Sequence, residues 1–414
     1  MVDRLLRARW CPRNDGERGN DDMKEMRNRF KAWPHYGKEE IAAVTKVLRS
    51  GKVNQWTGSE VFAFEKEYAK YLGVKYAIAL ASGSVALDMA LAVLGIKKGD
   101  EVIVTPHTFI ASASCVALRG AVPVFVDVDR QSGNIAVEAV KKAISRRTKA
   151  VIAVHILGWP CEIEELKQLC IKNKIYLIED CAQAHGAQYN GKPVGSFGDI
   201  ACFSFCQDKI ITTAGEGGLL VTNNKKLWAA AWSFKDHGRD FDTVFYKKHP
   251  FGFKWHIKSF GTNYRMTEIQ AAVGRVMLKK LDAWVRLRRG LAAVLNEGFS
   301  IIVGLRVAIP EKRFYHSYYK YYVYVRPEML KNGWSRNRII SELMRQNVPC
   351  AVGLCPEVYR EEAFKKIITG QKRLPIAKDI GETSMMFYVH PRLSKKDMCF
   401  VVKKVKKVMK KAVL

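Results

Sequence analysis

Residues 76–95, "YAIALASGSVALDMALAVLG", decide the fold class. An apolar strand, a Ser-Gly-Ser turn and an apolar helical pattern follow one another without a spare residue between them. The unit recurs downstream as "EVIVTP" before "FIASASCVALRG", "PVFVDVD" before "AVEAVKKAI", and "AVIAVHI" before "EIEELKQLCIKNK". The strands "YLIED", "IACFSF" and "GLLVTN" complete the series. Strands alternating with helices predict an α/β fold, a mainly parallel sheet covered by helices. The regularity fades after "TEIQAAVGRVMLKKLDAWVRLRRGL", a long helical pattern from about Thr267, and strands such as "YYKYYVYVR" then mix with a helical terminus. The chain therefore reads as a basic extension over 1–32, a large domain over 33–275 and a smaller C-terminal α+β domain over 276–414. "MKEMRNRFKAWPHY" is a second plausible start, so residues 1–22 are expected to be dispensable.

At 414 residues with 48% hydrophobic side chains, the chain is long enough to bury a substantial core. It holds no uncharged apolar run of about 18 residues, so no membrane span is expected and a cytoplasmic location is the expectation. Ten cysteines are scattered without a CxxC pair and several sit inside apolar runs, which reads as reduced core thiols with no metal site. The net charge of +29 raises nucleic acid as a partner, but its distribution argues against one. About a third of the excess lies in the first 31 residues and in the last helix, "SKKDMCFVVKKVKKVMKKAVL". There Ser394 and Asp397 resemble a capping box and Met398, Val402, Val405, Val408 and Ala412 form an apolar stripe, leaving the lysines a solvated face. A positive field of this kind also attracts small anionic substrates.

Ligands of open parallel sheets sit beyond the carboxyl ends of the strands, so the polar residues there are the candidates. "YAIALA" ends in Ser82, Gly83 and Ser84 at the start of a helix, a place suited to a phosphate and equally an ordinary N-cap. "EVIVTPHTFIASA" presents Phe109 near the same edge, although a lone aromatic reads as core. "KIYLIEDCAQAHGA" buries a strand and ends it in Glu179 and Asp180, with Gln183 and His185 following. A carboxylate at such a point is costly without a cationic partner or several donors, and Asp180 is either a helix cap or the holder of a protonated ring nitrogen. In "FSFCQDKIITTAGEGG", residues 203–218, Ser204 ends a strand and Lys209 precedes Gly215, Gly217 and Gly218. Lysine is the side chain that forms a Schiff base with an aldehyde cofactor, and Asp180 would keep the ring of pyridoxal phosphate protonated as an electron sink. Phosphate turn, aromatic, buried carboxylate and lysine in that order are far more specific than any one of them.

The segments "ALASGSVALDMAL", "GDEVIVTPHTFIASA", "GAVPVFVDVD", "IEDCAQAHGA", "GSFGDIACFSFCQDKIITTAGEGG" and "GTNYRMTEIQAAVGRVML" resemble the sugar-nucleotide aminotransferases of the DegT/StrS type, from Trp33 onward. The resemblance implies a fold-type-I pyridoxal-phosphate enzyme of polysaccharide or lipopolysaccharide biosynthesis, acting on a nucleotide-linked keto-deoxy sugar with L-glutamate as amino donor. It implies Lys209 and Asp180 as catalytic residues, Lys209 bonded to the cofactor and Asp180 at its ring nitrogen. Phe109 would stack on the ring, Gly83, Ser84 and Ser204 would hold the phosphate, and Gln183 would lie near the cofactor hydroxyl. Asn263 would reach the phosphate of a neighbouring subunit, making the unit a homodimer with shared sites. Two positions depart from the pattern: Ser84 stands where threonine is usual, and Asp208 beside the lysine where a neutral residue is common. Lys209 also argues against the dehydrating branch, which carries histidine there. Amination of a non-sugar ketone, another reaction of the same cofactor and a regulatory protein on the same fold are the competing readings.

Overall fold

The computed structural model describes residues 29–248, 257–368 and 370–414. The expected N-terminal extension lies outside the described residues up to position 28, while Phe30 is buried against Phe400 of the last helix. Two helices, α1 (Lys38–Ser50) and α2 (Glu60–Leu72), precede the first strand. The chain then runs through β1 (Tyr76–Leu80), α3 (Gly83–Val93), β2 (Glu101–Val104), α4 (Ala111–Leu118), β3 (Val122–Phe125), α5 (Val137–Ala143) and β4 (Thr148–Val154). It continues with α6 (Ile163–Asn173), β5 (Tyr176–Asp180), β6 (Gln188–Tyr189), β7 (Lys192–Pro193), β8 (Ile200–Ser204) and β9 (Gly218–Thr222).

Seven strands form one sheet in the order β1-β9-β8-β5-β4-β2-β3. The pairs from β3 through β8 are parallel, and β9 runs antiparallel to both β8 and β1. Val102–Val104, Ala150–Val154 and Ile200–Phe203 are almost fully buried, as expected for a sheet covered on both faces. The reversal at β9 decides where the site sits: Gly218, its first residue, is in register with Leu80 at the end of β1 and with Ser204 at the end of β8. Three chain segments thus meet at one edge of the sheet.

After α7 (Lys225–Lys235) and α8 (Phe241–Tyr246) comes α9 (Glu268–Ser300), a 33-residue helix that runs unbroken through position 275. Thr267 and Gln270 close a capping box at its start. Ala271, Met277, Leu281 and Val285 pack into the core under the large sheet, while Leu291, Leu295 and Phe299 enter a second core. That core lies against an antiparallel sheet of β10 (Leu305–Val307), β12 (Tyr321–Val325), β13 (Cys350–Ala351) and β14 (Ser384–Phe387), ordered β10-β12-β14-β13. Between them β11 (Phe314–Tyr315) turns back to pair with β6, carrying residues 314–320 toward the first sheet. The terminal helix Lys395–Ala412 has the expected Ser394/Asp397 capping box and buries Met398, Val401, Val405, Val408 and Met409. No helix among the described residues is long and apolar enough to cross a membrane. Of the nine described cysteines six are buried, Cys206 and Cys355 are half-buried and Cys399 is exposed.

Candidate active site

The Ser82–Ser84 turn follows from local rules. Ser82 caps α3, its hydroxyl accepting from the Val85 N–H at 3.3 Å, so the expected N-cap is real. The following N–H groups then open at a positive helix end. A Cβ on Gly83 would stand 2.6 Å from the Ser204 Cβ, and one on Gly218 would stand 2.1 Å from the Ser82 carbonyl oxygen. Ser204 accepts from the Cys206 N–H at 3.3 Å, which leaves its hydroxyl hydrogen to donate. Ser84 is exposed in the first turn of the helix.

At the end of β5, Glu179 and Asp180 point to opposite faces and do different work. Glu179 accepts from the N–H groups of Gly195, Phe197 and Gly198 at 2.8, 2.8 and 2.7 Å, and from His155 Nε2 at 3.1 Å. His155 Nδ1 accepts from the Cys161 N–H at 2.9 Å, which fixes that tautomer. Burial would raise the Glu179 carboxyl, but these donors outweigh it and hold it below the ordinary range. His155, Glu179 and Cys181 are close enough to cage a metal, yet the carboxylate and imidazole are already saturated, so the cluster is structural.

Asp180 is equally buried but poorly compensated. Its direct donors are neutral, the Ser112 hydroxyl at 2.7 Å and the Ala182 N–H at 3.0 Å, and burial pushes its carboxyl above the ordinary range. A protonated ring nitrogen is the kind of partner such a group lacks. Gln183 gives its amide oxygen to the Leu157 N–H at 2.8 Å, so two N–H donors are what it has left for a ligand. His185 is buried between the Tyr68 hydroxyl and the Ser204 carbonyl, both at 2.7 Å, and burial holds it neutral, lowered to about 4. It braces the strand that carries Ser204.

Phe109, read in isolation as core, is 60% exposed. Its loop is tied down by the Thr108 N–H to Cys355 at 3.2 Å and by His107 to Gly133 at 3.1 Å, so the ring is held in place with a face open. Lys209 sits in a tight turn, its N–H donating to Cys206 at 3.0 Å and its carbonyl accepting from Trp33 Nε1 at 2.8 Å. Its Nζ lies 4.8 Å from the Tyr319 ring centroid and 3.9 Å from Asp208 Oδ1. A fully buried lysine, Lys235, pairs with Glu65 at 3.6 Å and is accounted for by that pair.

Asn263 is exposed, and its amide oxygen accepts from the Arg265 N–H at 3.3 Å. Its segment runs beside the end of β1, with Ala81 donating to the Tyr264 carbonyl at 2.9 Å. Sequence reasoning missed Ser112, Tyr319 and the bracing by Trp33. Ser112 carries a signal in retrospect, lying in the first turn of α4 just after the strand-end loop that holds Phe109. Tyr319 lies 111 residues from Asp208 with nothing local to mark it.

Residues 34–406 match the DegT/DnrJ/EryC1/StrS aminotransferase family. The chain belongs to that family. It is an aminotransferase, and its cofactor is pyridoxal phosphate. An aminotransferase structure from Psychrobacter cryohalolentis is 45% identical with a TM-score of 0.90, covering 92% of this chain and 99% of that one. The GDP-perosamine synthase of Escherichia coli O157:H7 is 33% identical over 344 residues, 83% of this chain and 88% of that protein. The PLP form of Spr1654 from Streptococcus pneumoniae is 26% identical with a TM-score of 0.81, covering 91% and 97% of the two chains. The residues of this aminotransferase fit the cofactor on their own chemistry: a close turn that a Cβ would fill, a buried carboxyl whose hydrogen-bond donors are both neutral, and an amine in a braced turn.

Proposed function

We propose that the enzyme converts a nucleotide-linked keto-deoxy sugar to an amino sugar, with L-glutamate as the amino donor. The observation that carries this reading is the convergence of the Ser82–Ser84 turn, Ser204, Asp180 and Lys209 at one sheet edge, in a chain whose relatives include GDP-perosamine synthase. Pyridoxal phosphate, when bound, supplies an aldehyde that condenses with amines and a pyridinium ring that takes up an electron pair. Gly83, Ser84 and Ser204 would hold its phosphate, and Phe109 would offer a ring face for stacking. Gln183 donates an N–H toward the phenolic oxygen. Asp180 would keep the ring nitrogen protonated, the state in which its own buried charge gains a second partner. Lys209 would hold the aldehyde carbon until an amino donor takes its place, and its Nζ would then carry the proton that the donor α-carbon gives up and the one that the sugar carbon gains.

The unit we propose is a cytoplasmic homodimer in which Asn263 of each chain reaches the partner's phosphate. Phe260, 99% exposed three residues away, and the exposed rings of Trp56, Phe245 and Tyr246 support an apolar contact on that side. In this reading 33–275 carries the cofactor and 276–414 closes over it. Borohydride reduction followed by peptide mass spectrometry tests the first assignment: the label should be on Lys209, and Lys209→Ala should stay folded without turnover. A label on another lysine overturns it. A panel of nucleotide keto-sugars given to the glutamate-treated enzyme, read by product mass and NMR, tests the substrate. Failure of the whole panel beside amination of a non-sugar ketone would reject the sugar.

A further inference from the structure

The residue immediately before the matched stretch 34–406 reaches the turn that holds Lys209. Trp33 donates its indole N–H to the Lys209 carbonyl at 2.8 Å, across 176 residues of sequence. The turn has a local hydrogen bond of its own, from the Lys209 N–H to Cys206 at 3.0 Å, and the two residues that follow, Ile210 and Ile211, are fully buried. The indole therefore fixes the peptide unit that leaves Lys209, as the local bond fixes the one that enters it. Trp33 is itself held by three side chains. Its ring meets Trp284 edge-on at 5.1 Å and 89°, lies near-parallel to His390 at 5.9 Å and 25°, and has the Arg288 guanidinium 5.4 Å from its centroid. Arg288 is 1% exposed and donates to the Val389 carbonyl at 2.6 Å. Trp284 and Arg288 belong to α9, and His390 lies three residues past β14 of the second sheet. The segment before Trp33 is moored separately, Phe30 against Phe400 and the Ala32 carbonyl by Arg392 at 3.3 Å. Packing of this kind sets the direction of the N–H independently of the hydrogen bond it makes.

We propose that Trp33 is a positioning residue for the Lys209 amine: it sets the backbone from which that side chain departs, and it carries the seating of the C-terminal domain on α9 into the turn. This rests on the reading of Lys209 as the residue that bonds the cofactor and carries the proton. In that role Nζ must reach the same carbon before and after an amino donor takes its place, in both halves of the reaction. A shifted turn therefore slows the chemical steps. The Ser82–Ser84 turn and Asp180 lie on other segments and do not depend on the indole, so cofactor affinity stays as it was. A role confined to folding gives the opposite pattern, lower stability and weaker cofactor binding with the rate per loaded site unchanged.

Two variants separate the N–H from the packing. Trp33→Phe keeps a ring against Trp284, His390 and Arg288 without the donor. Replacing the indole by benzothiophene, through a non-canonical amino acid at position 33, keeps the shape and exchanges the N–H for sulfur. Each enzyme is loaded with pyridoxal phosphate and mixed with L-glutamate, or with L-alanine where glutamate does not discharge the wild type, and the cofactor absorbance gives a limiting rate and a half-saturating concentration. The amine form with the corresponding oxo acid gives the reverse. Loss of one neutral hydrogen bond corresponds to about a threefold to tenfold change. The limiting rate should fall by that factor in both directions, with half-saturating concentrations, cofactor affinity and melting temperature at wild-type values. A benzothiophene variant with the wild-type limiting rate overturns the proposal, and so does a fall in rate matched by lost cofactor occupancy. Borohydride labelling of the wild type keeps the two readings apart. A label on Lys209 beside an unaffected benzothiophene variant rejects the positioning role alone, whereas a label on another lysine rejects the reading of Lys209 and this proposal with it.

Discussion

Gly218→Ala isolates the phosphate cradle better than any change to a polar residue. Its Cβ would fall 2.1 Å from the Ser82 oxygen, 2.3 Å from the Ser82 carbonyl carbon and 2.8 Å from the Gly83 nitrogen, all backbone atoms. Comfortable contacts of this kind lie at about 3.5–4.0 Å, so the turn must retreat from β9 by more than about 1 Å. It has little room, because Gly218 is paired with Leu80 on one side and Ser204 on the other. Overpacking of this sort costs about 1–3 kcal/mol of stability. The displaced turn also loses at least one hydrogen bond to a charged phosphate, about 1.5–3 kcal/mol, which is roughly tenfold to a hundredfold in cofactor affinity. Equilibrium dialysis against pyridoxal phosphate and against pyridoxal, with thermal unfolding of the cofactor-free protein, reads both effects. Affinity for the phosphorylated cofactor should fall while the weaker affinity for pyridoxal stays as it was. A variant that binds pyridoxal phosphate as wild type does would refute the cradle.

The two acids of β5 should respond in opposite ways. Asp180 has its carboxyl raised by burial, so the stability it provides in the cofactor-free protein is present below the ordinary aspartate range and declines as pH rises toward the folded value. Asp180→Asn should therefore melt no lower than wild type at neutral pH while turnover drops by about a hundredfold or more; a large drop in melting temperature contradicts this. Glu179 is depressed, so its stability is present above the ordinary glutamate range and is lost as pH falls through the folded value. Glu179→Gln should cost about 3–5 kcal/mol by denaturant melts, and a neutral result would remove it as the brace. Co-refolding Lys209→Ala with Asn263→Ala should give mixed dimers with one intact site and activity above either parent. Mixed dimers confirmed by mass but as inactive as the Lys209→Ala parent, with Asn263→Ala fully active alone, would take Asn263 out of the site.

What the sequence by itself determined is local or nearly so. Strand, turn and helix at residues 76–95 follow from periodicity and an N-cap serine, and the terminal helix follows from its capping box, because both depend on neighbours within a few residues. Asp180 ends β5, and the Ser82–Ser84 turn and Lys209 follow within a few residues of the ends of β1 and β8, so they stand out as candidates in a sheet that puts strand ends together. Other features needed the folded chain. Phe109 reads as core from residue type, and is exposed because its loop is tied down by Cys355 and Gly133. Glu179 and Asp180, adjacent and both acidic, part ways because opposite faces of one strand meet different donors, backbone N–H groups on one side and a serine hydroxyl on the other. Gly218 gains its meaning from the reversed strand β9, which brings it against Ser82. Tyr319 and Asp208 meet across 111 residues because β11 turns back onto β6, and no pattern near either residue carries that information. Local propensity acts over a few residues, whereas the charge environment of a side chain is set by whatever the fold packs beside it.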